Sequence, residues 1–482
     1  MDPVFEFSIE LPPRDSRGLL QALHAQLRGA ILDGRLGPGL KLPSTRKLAD
    51  AYAISRNTAV AAYDLLLSEG YVVARRGAGV FVASVLPRRT ESNAPASDAA
   101  NDRRLAAYWR NPPAAFAPAP VPAPALAFSL GIPDGALFPF ALWRRLTTRA
   151  LRTLAKSRTS YGTPRGQVAL REGIARHVSF ARAVACAADD IVVTGGAQQA
   201  FALLARILVT PGRTVVAIEN PGYPPLRGAF AAAGAKVAPV RVDAEGLVVE
   251  RIPRDARVIC VSPSHQFPLG CAMSARRRAA LLDFAEARGA VVIEDDYDGE
   301  FRFSGRPLDA LQTLDRGERV FYVGTFSKSL FPAIRLGYVV APPWALNALI
   351  AAKREADWHS PIIEQETLAA FIGEGHMARH VRRMRGIYAT RREALLAGLR
   401  TFSRWLEPIP SVAGLHLSAY ANDSVDIEAL AGVAREHDVG VSPIRSFYFG
   451  RPARQGLAFG YGAIDERSII EVCAVLARVW PR

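Results

Sequence analysis

Residues 324–338 read GTFSKSLFPAIRLGY, and the fold of most of the chain can be read outward from this stretch. A strand-like run, RVFYVGTFS at 319–327, delivers Lys328 among small hydroxyl side chains, Thr325, Ser327 and Ser329, with Arg335 seven positions further on. A lysine so placed can condense with an aldehyde cofactor, while the hydroxyls and the guanidinium hold that cofactor's phosphate by charge-assisted hydrogen bonds. A lone Ser-Lys pair would carry no such meaning, because most lysines beside a serine are merely solvated. The neighbouring segments decide the matter.

Upstream, VVIEDDYDGEF at 291–301 reads as a strand ending in two aspartates. Asp295 or Asp296 at the carboxyl edge of a sheet suits the protonated nitrogen of a pyridine ring, as in pyridoxal phosphate, and Tyr297 then reaches the ring's phenolic oxygen. Acids at strand ends also suit magnesium, but no phosphate loop accompanies these, and no metal is expected. TGGAQQAF at 194–201 opens a helix whose first amides, at Ala197 and Gln198, can receive a phosphate. ENPGYPPLRGAF at 219–230 offers Tyr223 to stack on a ring, although a single aromatic is more often packing.

Further out, DIVVTGG, TVVAIEN, RVICVSP, AVVIEDD and LGYVVAP alternate with helical stretches such as QQAFALLARILV and ARRRAALLDFAEAR. Strands alternating with helices predict an α/β domain, a mostly parallel sheet covered on both faces. From about Trp358 the pattern changes to long helices, then short strands and a last helix ending near Val479, which predicts a smaller α+β subdomain. At 482 residues, 50% hydrophobic and 22% charged, the chain is long enough for several cores. It has no apolar run of membrane-spanning length, and acids stand where a signal peptide would put bases, so a cytoplasmic protein is expected. The isolated Cys186, Cys260, Cys271 and Cys473 form no CxxC pair and indicate neither a disulfide framework nor a zinc site.

The net charge of +15 is a weak clue by itself, but between Arg14 and Arg89 twelve lysines and arginines stand against five acids. There, Leu20, Leu23, Leu27 and Ile31 recur at helical spacing. LPSTRKLADAYAISRNTAVAAYDLLLSEGYV at 42–72 then gives two helices, capped by Ser44 and Ser55 and joined by a tight turn. YVVARRGAGVFVA at 71–83 reads as two short strands about a basic turn. Helix, turn, second capped helix and basic hairpin, in that order, outweigh the simpler reading that the bases only solvate a helical face. Arg56, Asn57 and Thr58 fall on the first turn of the second helix, where base edges and phosphates are met, with Arg46 and the Arg75–Gly77 turn flanking them. Between Pro87 and Pro124 the composition turns to Pro, Ala, Asn, Asp and Arg, an extended linker in which LAAYWR, around Trp109, can form a brief docking element.

Residues 19–82 resemble the winged-helix domain of the GntR family of bacterial regulators. The resemblance implies that Arg46, Arg56, Asn57, Thr58, Arg76 and Gly77 contact DNA; Val60 stands where some relatives carry an arginine. From Phe128 to Trp480 the chain resembles the fold-type I, or class I aminotransferase, group of pyridoxal-phosphate enzymes. SLGIPDGALFP, YGTPRGQVALREGIA, TGGAQQAF, ENPGYPP, SPSHQFPLG, IEDDYD and TFSKSLFPAIRLGY occur in that group's order. This resemblance implies Lys328 as the lysine joined to the cofactor, Asp295 as the pyridinium partner and Tyr297 as donor to the ring oxygen. It implies Ser327, Arg335 and the amides near Ala197 and Gln198 as the phosphate cradle. Tyr161 would reach the phosphate of a neighbouring subunit, which implies a homodimer, domain-swapped or not.

Two departures stand out. SPSHQFPLG replaces the asparagine-containing turn of many aminotransferases, so that His265 or Gln266, here assigned as Gln266, takes over its contact with the ring oxygen. GLAFGYG puts Ala458 where aminotransferases usually place the arginine that grips a substrate's carboxylate, which weighs against ordinary transamination as the physiological role. The combination resembles the MocR/GabR subfamily of GntR regulators, in which the cofactor-bearing domain is the sensor. That resemblance implies promoter DNA as partner and a small amine, an amino acid or pyridoxal phosphate as effector, acting through aldimine chemistry at Lys328; Arg227 and Arg445 are candidates for an effector's anionic end. The expected architecture is a winged helix-turn-helix at 14–84, a Pro/Ala-rich linker at 85–125 and an aminotransferase-like domain at 126–482. Within the last, a large subdomain spans about 145–355, and the small one spans about 356–482 with the N-terminal segment. A genuine aminotransferase carrying an appended DNA-binding domain is the alternative, and residual aminotransferase activity is compatible with both.

Overall fold

The computed structural model describes residues 4–13, 16, 18–84, 104–110, 124, 126–156, 160–304, 309–422 and 424–480. They form two compact units, Met1–Asp102 and Arg103–Arg482.

In the first unit, α1 (Leu19–Leu32) turns Leu23, Leu27, Ala30 and Ile31 inward at helical spacing. The Ser44 hydroxyl accepts from the Lys47 amide at 3.2 Å and starts α2 (Thr45–Ala51). The Ser55 hydroxyl accepts from the Thr58 amide at 3.0 Å and starts α3 (Arg56–Ser68). Each cap satisfies one of the amides that a helix start leaves without an internal partner. Ala59, Ala62, Tyr63 and Leu66 of α3 pack with Leu48 of α2 on the buried face of α1. Strands β1 (Val72–Arg75) and β2 (Gly79–Val82) pair antiparallel, and Gly77, at φ +74°, makes the turn between them. This is the winged helix-turn-helix that the sequence predicts.

The second unit begins with α4 (Ala107–Arg110), held by a 3.2 Å hydrogen bond from the Tyr108 hydroxyl to the Gly228 carbonyl. It is the LAAYWR docking element; the remainder of the expected linker, apart from 104–106 and Pro124, lies outside the described residues. After β3 (Leu126–Ala127), α5 (Phe140–Leu154) and α6 (Val168–Arg182), the α/β alternation sets in. It runs β4 (Ile191–Thr194), α7 (Ala197–Leu208), β5 (Val215–Asn220), α8 (Pro224–Ala232), β6 (Lys236–Asp243), β7 (Gly246–Leu247), β8 (Ala256–Val261) and α9 (Ala275–Arg288). It continues through β9 (Val291–Asp296), α10 (Leu311–Leu314), β10 (Val320–Thr325), β11 (Gly337–Val340) and α11 (Pro343–Asp357).

These strands form an eight-stranded sheet in the order β4-β11-β10-β9-β8-β5-β6-β7. Neighbours from β10 to β6 run parallel, whereas β11 is antiparallel to both β10 and β4. Strands β4, β10 and β11 are buried along their whole length, which is why the sequence shows them as unbroken apolar runs without alternation. Helices α7, α8 and α11 cover one face through Phe201, Leu204, Phe230 and Leu349.

The chain then forms α12 (Ile362–Gly373), the 26-residue α13 (His376–Thr401), β12 (Leu406–Pro408), β13 (His416–Ala421), α14 (Ile427–Glu436), β14 (Val439–Gly440), β15 (Ser442–Pro443), β16 (Gly456–Gly460) and α15 (Glu466–Val479). Strands β12-β13-β16-β15 make an antiparallel sheet, and β14 pairs with β3, so the first strand of the second unit joins its C-terminal part. Among the described residues no helix is long and apolar enough to cross a membrane. The four cysteines are unpaired.

Candidate functional site

The topology explains why residues far apart in sequence meet. Parallel strands bring their carboxyl ends to one edge of the sheet, and β11, being antiparallel, starts at that same edge. Four segments therefore converge there: Gly195–Gly196 after β4, Ser327–Lys328 after β10, Asp295 at the end of β9 and Arg335 just before β11.

Lys328 is partly buried, between the buried Ser327 and Ser329. Burial lowers its pKa from the ordinary lysine value, the charges of Asp298 and Asp295 oppose that shift, and Arg335 adds to it. Its amine lies on the backbone of Gly131, where a Cβ would stand 2.7 Å from Nζ. Gly131 belongs to SLGIPDG, a motif noted in the sequence for its order and not for this contact.

Successive side chains of a strand point to opposite faces, so the two aspartates of β9 cannot share one role. Asp296 is spent on structure: its carboxylate takes Arg182 Nε at 2.6 Å and the Tyr322 hydroxyl at 2.6 Å. Asp295 is buried and its Oδ1 has no hydrogen-bond partner among the described residues. Burial first, then the nearby Asp296 and Asp298 charges, push its pKa up to about 8, while Lys328 pulls the other way. Such a carboxylate lacks a donor, and a pyridinium N–H is one that fits.

Tyr297 has its hydroxyl 3.0 Å from His265 Nδ1 and 2.9 Å from the His265 carbonyl. His265 in turn hydrogen-bonds Asp298 through Nδ1, at 3.0 Å to Oδ2. Gln266, expected at the ring oxygen, is committed elsewhere: its amide donates to the Pro221 and Phe267 carbonyls at 2.8 and 2.6 Å and accepts from Leu269 N at 3.2 Å. The residue of that turn that hydrogen-bonds Tyr297 is His265. Asp298, the third aspartate of IEDDYD, has no role in the sequence reading, although its recurrence two positions after Asp296 is visible there. His265, Asp298 and His416 bring ligand-type atoms within 4.8 Å of one another; the first two bond each other through His265 Nδ1, while His265 Nε2 is buried without a partner among the described residues, and His416 Nε2 bonds the Pro268 carbonyl at 2.9 Å.

For the phosphate, Ser327 is buried with its hydroxyl 3.1 Å from that of Thr325. Arg335 donates to the Gly195 carbonyl at 2.7 Å and is otherwise open. Its backbone is left-handed, at φ +48°. Gly196, at φ +91°, precedes α7, and a Cβ there would stand 3.0 Å from the Arg335 guanidinium. The first amides of α7, at Ala197 and Gln198, lack intrahelical acceptors by construction. The Gln198 side chain itself points away, to the Pro225 carbonyl at 3.1 Å. The cradle and the ring-facing groups together fit a pyridoxal phosphate: a lysine to hold the aldehyde carbon, an acid for the ring nitrogen, a phenol for the ring oxygen and a cationic, amide-rich turn for the phosphate.

Tyr223 caps α8 and packs edge-on against Phe267 with ring centres 5.6 Å apart. Tyr161 is 74% exposed and lies against Trp358, with ring centres 4.6 Å apart. The two effector candidates are not brought together. Arg227 lies over the Phe449 ring at 5.1 Å and lines a pocket with Tyr223 and Phe447. Arg445 opens into a separate cleft with Asn422, Arg451 and Arg454, because Ile444 and Phe447 on the same short turn are the residues that face inward. Ala458 is fully buried at the centre of β16, beside Phe267, Phe447 and Tyr448. That position is apolar.

In the first unit, Arg46, Arg56, Asn57, Arg76 and Gly77 are exposed. The Thr58 hydroxyl is 2.8 Å from that of Ser55 and takes part in the helix cap.

The fold and this constellation define a class: a winged-helix DNA-binding unit in the same chain as an aminotransferase-type domain. Residues 19–82 match the model of bacterial regulatory proteins of the gntR family, and residues 126–460 match that of aminotransferase class I and II. The chain is 36% identical to the probable rhizopine catabolism regulatory protein MocR of Rhizobium meliloti, over 93% of this chain and 91% of that one. It is 34% identical to the transcriptional regulator TauR of Rhodobacter capsulatus, over 98% of each. A crystal structure of kynurenine aminotransferase from Pyrococcus horikoshii superposes with a TM-score of 0.69 at 27% identity, covering 74% of this chain and 91% of that one. The chain belongs to the MocR/GabR group of GntR-type regulators with an aminotransferase-like domain.

Proposed function

We propose that this protein regulates transcription by binding promoter DNA through its winged helix and sensing a small amine, an amino acid or pyridoxal phosphate at Lys328. The observation that carries the reading is the buried Asp295 Oδ1, without a hydrogen-bond partner among the described residues, at the same sheet edge as the partly buried Lys328, joined in one chain to an exposed recognition helix. When bound, pyridoxal phosphate would supply an electrophilic aldehyde carbon, which Lys328 would hold and to which an effector's amine could be joined in its place. Asp295 holds the ring-nitrogen proton in place, Tyr297 donates to the ring oxygen, and Ser327, Arg335 and the α7 amides hold the phosphate. Tyr161, exposed as it is, is suited to reach the phosphate of a second subunit in a homodimer. Arg227 is half-buried, and burial lowers its pKa; no carboxylate pairs with it among the described residues, which suits it to an anionic group of an effector better than Arg445. The replacement of the carboxylate-gripping arginine by buried Ala458 favours sensing over turnover.

The test is absorbance and borohydride trapping. Protein mixed with pyridoxal phosphate is expected to develop a visible band and, on reduction, a pyridoxyl adduct on Lys328; Lys328→Ala abolishes the adduct. Absence of an adduct on Lys328 overturns the reading. The intact lysine, aspartate and tyrosine set also suits a true aminotransferase. Rapid multiple turnover with amino donors, with no promoter response, would favour that alternative.

A further inference from the structure

An unbroken run of hydrogen bonds crosses the back of the phosphate cradle. Lys353, on α11, has no exposed surface, and its Nζ lies 2.5 and 2.7 Å from the two carboxylate oxygens of Asp357, one turn further along. The Asp357 carboxylate accepts from Gln199 Nε2 at 2.7 Å. Gln199 Oε1 accepts from the Gly195 amide at 2.7 Å, and the Gly195 carbonyl accepts from Arg335 at 2.7 Å.

Each link has a direction. The lysine is a donor only and fixes the carboxylate; the carboxylate is an acceptor only and so orients the amide of Gln199 with its nitrogen outward. The oxygen of Gln199 then has to face Gly195. The Gly195–Gly196 peptides have little intrinsic preference, because glycine populates either hand of the backbone, and Gly196 takes φ +91° here. At Gly195 the turn is held by the bond its amide donates to Gln199 on one side and the bond its carbonyl accepts from Arg335 on the other, and at Gly196 by the Thr194 hydroxyl, which donates to the carbonyl at 3.1 Å.

We propose that Lys353, Asp357 and Gln199 are positioning residues for the phosphate group of the cofactor: they fix the Gly195–Gly196 turn and, through it, the Arg335 guanidinium and the first amides of α7. None of the three touches the cofactor's ring or its aldehyde carbon in this assignment. The inference rests on the reading of the Lys328 site as a pyridoxal phosphate site. Asp357 is also the last residue of α11, immediately before Trp358, whose backbone turns left-handed at φ +63° and whose ring carries Tyr161. The relay thus ends beside the aromatic pair suited to a second subunit.

The test compares pyridoxal phosphate with pyridoxal, which has the same aldehyde and ring but no phosphate. Gln199→Met removes both hydrogen bonds at nearly constant volume. It is expected to weaken pyridoxal phosphate binding about tenfold, the scale of a hydrogen bond that organises a charged site, and to leave pyridoxal binding, read by absorbance, unchanged. Lys353→Met combined with Asp357→Leu removes the other end of the relay without leaving a buried charge unpaired, and the same phosphate-selective loss is expected; it also serves if Gln199→Met does not fold. Equal losses for the two ligands, or no loss for pyridoxal phosphate, overturn the proposal. If the wild-type protein forms no borohydride-stable adduct on Lys328, the assignment of the site fails instead.

Discussion

Gly131 lies against Lys328 so closely that a Cβ on the glycine would stand 2.7 Å from Nζ and 3.1 Å from Cε. The glycine also holds φ +65°, a backbone conformation costly for any side chain. The segment that follows β3 thus shapes the space in which the lysine amine moves. Gly131→Ala is expected to displace the amine and weaken cofactor retention about tenfold. Strain at positive φ should lower the melting temperature by only a few degrees. Absorbance titration and thermal denaturation check the two parts separately; unchanged retention would show that the lysine accommodates the methyl group.

Asp295 makes stability depend on pH in a predictable direction. Its folded pKa, about 8, lies above the unfolded value of about 3.9. The stability associated with its protonated form is therefore present below pH 4 and lost as pH rises toward and through 8. In cofactor-free protein, Asp295→Asn is expected to gain on wild type by a few degrees in melting temperature between pH 6 and 8.5. With pyridoxal phosphate bound, the gain should disappear if, as proposed, the ring N–H partners the carboxylate. A difference that is flat with pH in the free protein would contradict the burial-driven shift.

Exposed Arg56 and Asn57 begin α3, and exposed Arg76 lies at the tip of the hairpin. Arg56→Ala is expected to cost about 1–3 kcal/mol of operator binding and to blur sequence preference if it reads a base edge. Arg76→Ala should weaken specific and nonspecific DNA alike and reduce the salt dependence by about one unit of slope. Ser55→Ala, which removes the cap, should cost about 1 kcal/mol of stability without a sequence effect. Titrations at several salt concentrations separate these outcomes.

The proposed function requires coupling between effector and promoter. An effector shifts a regulator only by as much as it prefers one state over the other, so tight binding alone is insufficient. Reporter expression from the target promoter is expected to respond to the cognate amine with wild-type protein and to lose that response with Lys328→Ala. A preserved response in the variant would place the signal outside the lysine.

The sequence by itself determined what depends on local chemistry. Ser44 and Ser55 start their helices because a short hydroxyl satisfies amides two or three residues on. The buried strands betray themselves as apolar runs, and the surroundings of Lys328 are legible because Thr325, Ser327 and Arg335 lie within one strand-loop-strand. Only the tertiary structure decided what depends on side-chain direction and on contacts between distant segments. Asp295 and Asp296 are adjacent and chemically identical, and the pleat of β9 alone gives one to Arg182 and leaves Oδ1 of the other without a partner among the described residues. Gln266 and His265 are likewise neighbours, yet the loop consumes the amide and leaves the imidazole beside Tyr297. The separation of Arg227 from Arg445, the contact of Gly131 with Lys328 and the relay from Lys353 to Gly195 join residues scores of positions apart. No periodicity records them, because a hydrogen bond or a steric contact across a fold constrains the two positions in space and imposes no pattern on the sequence between them.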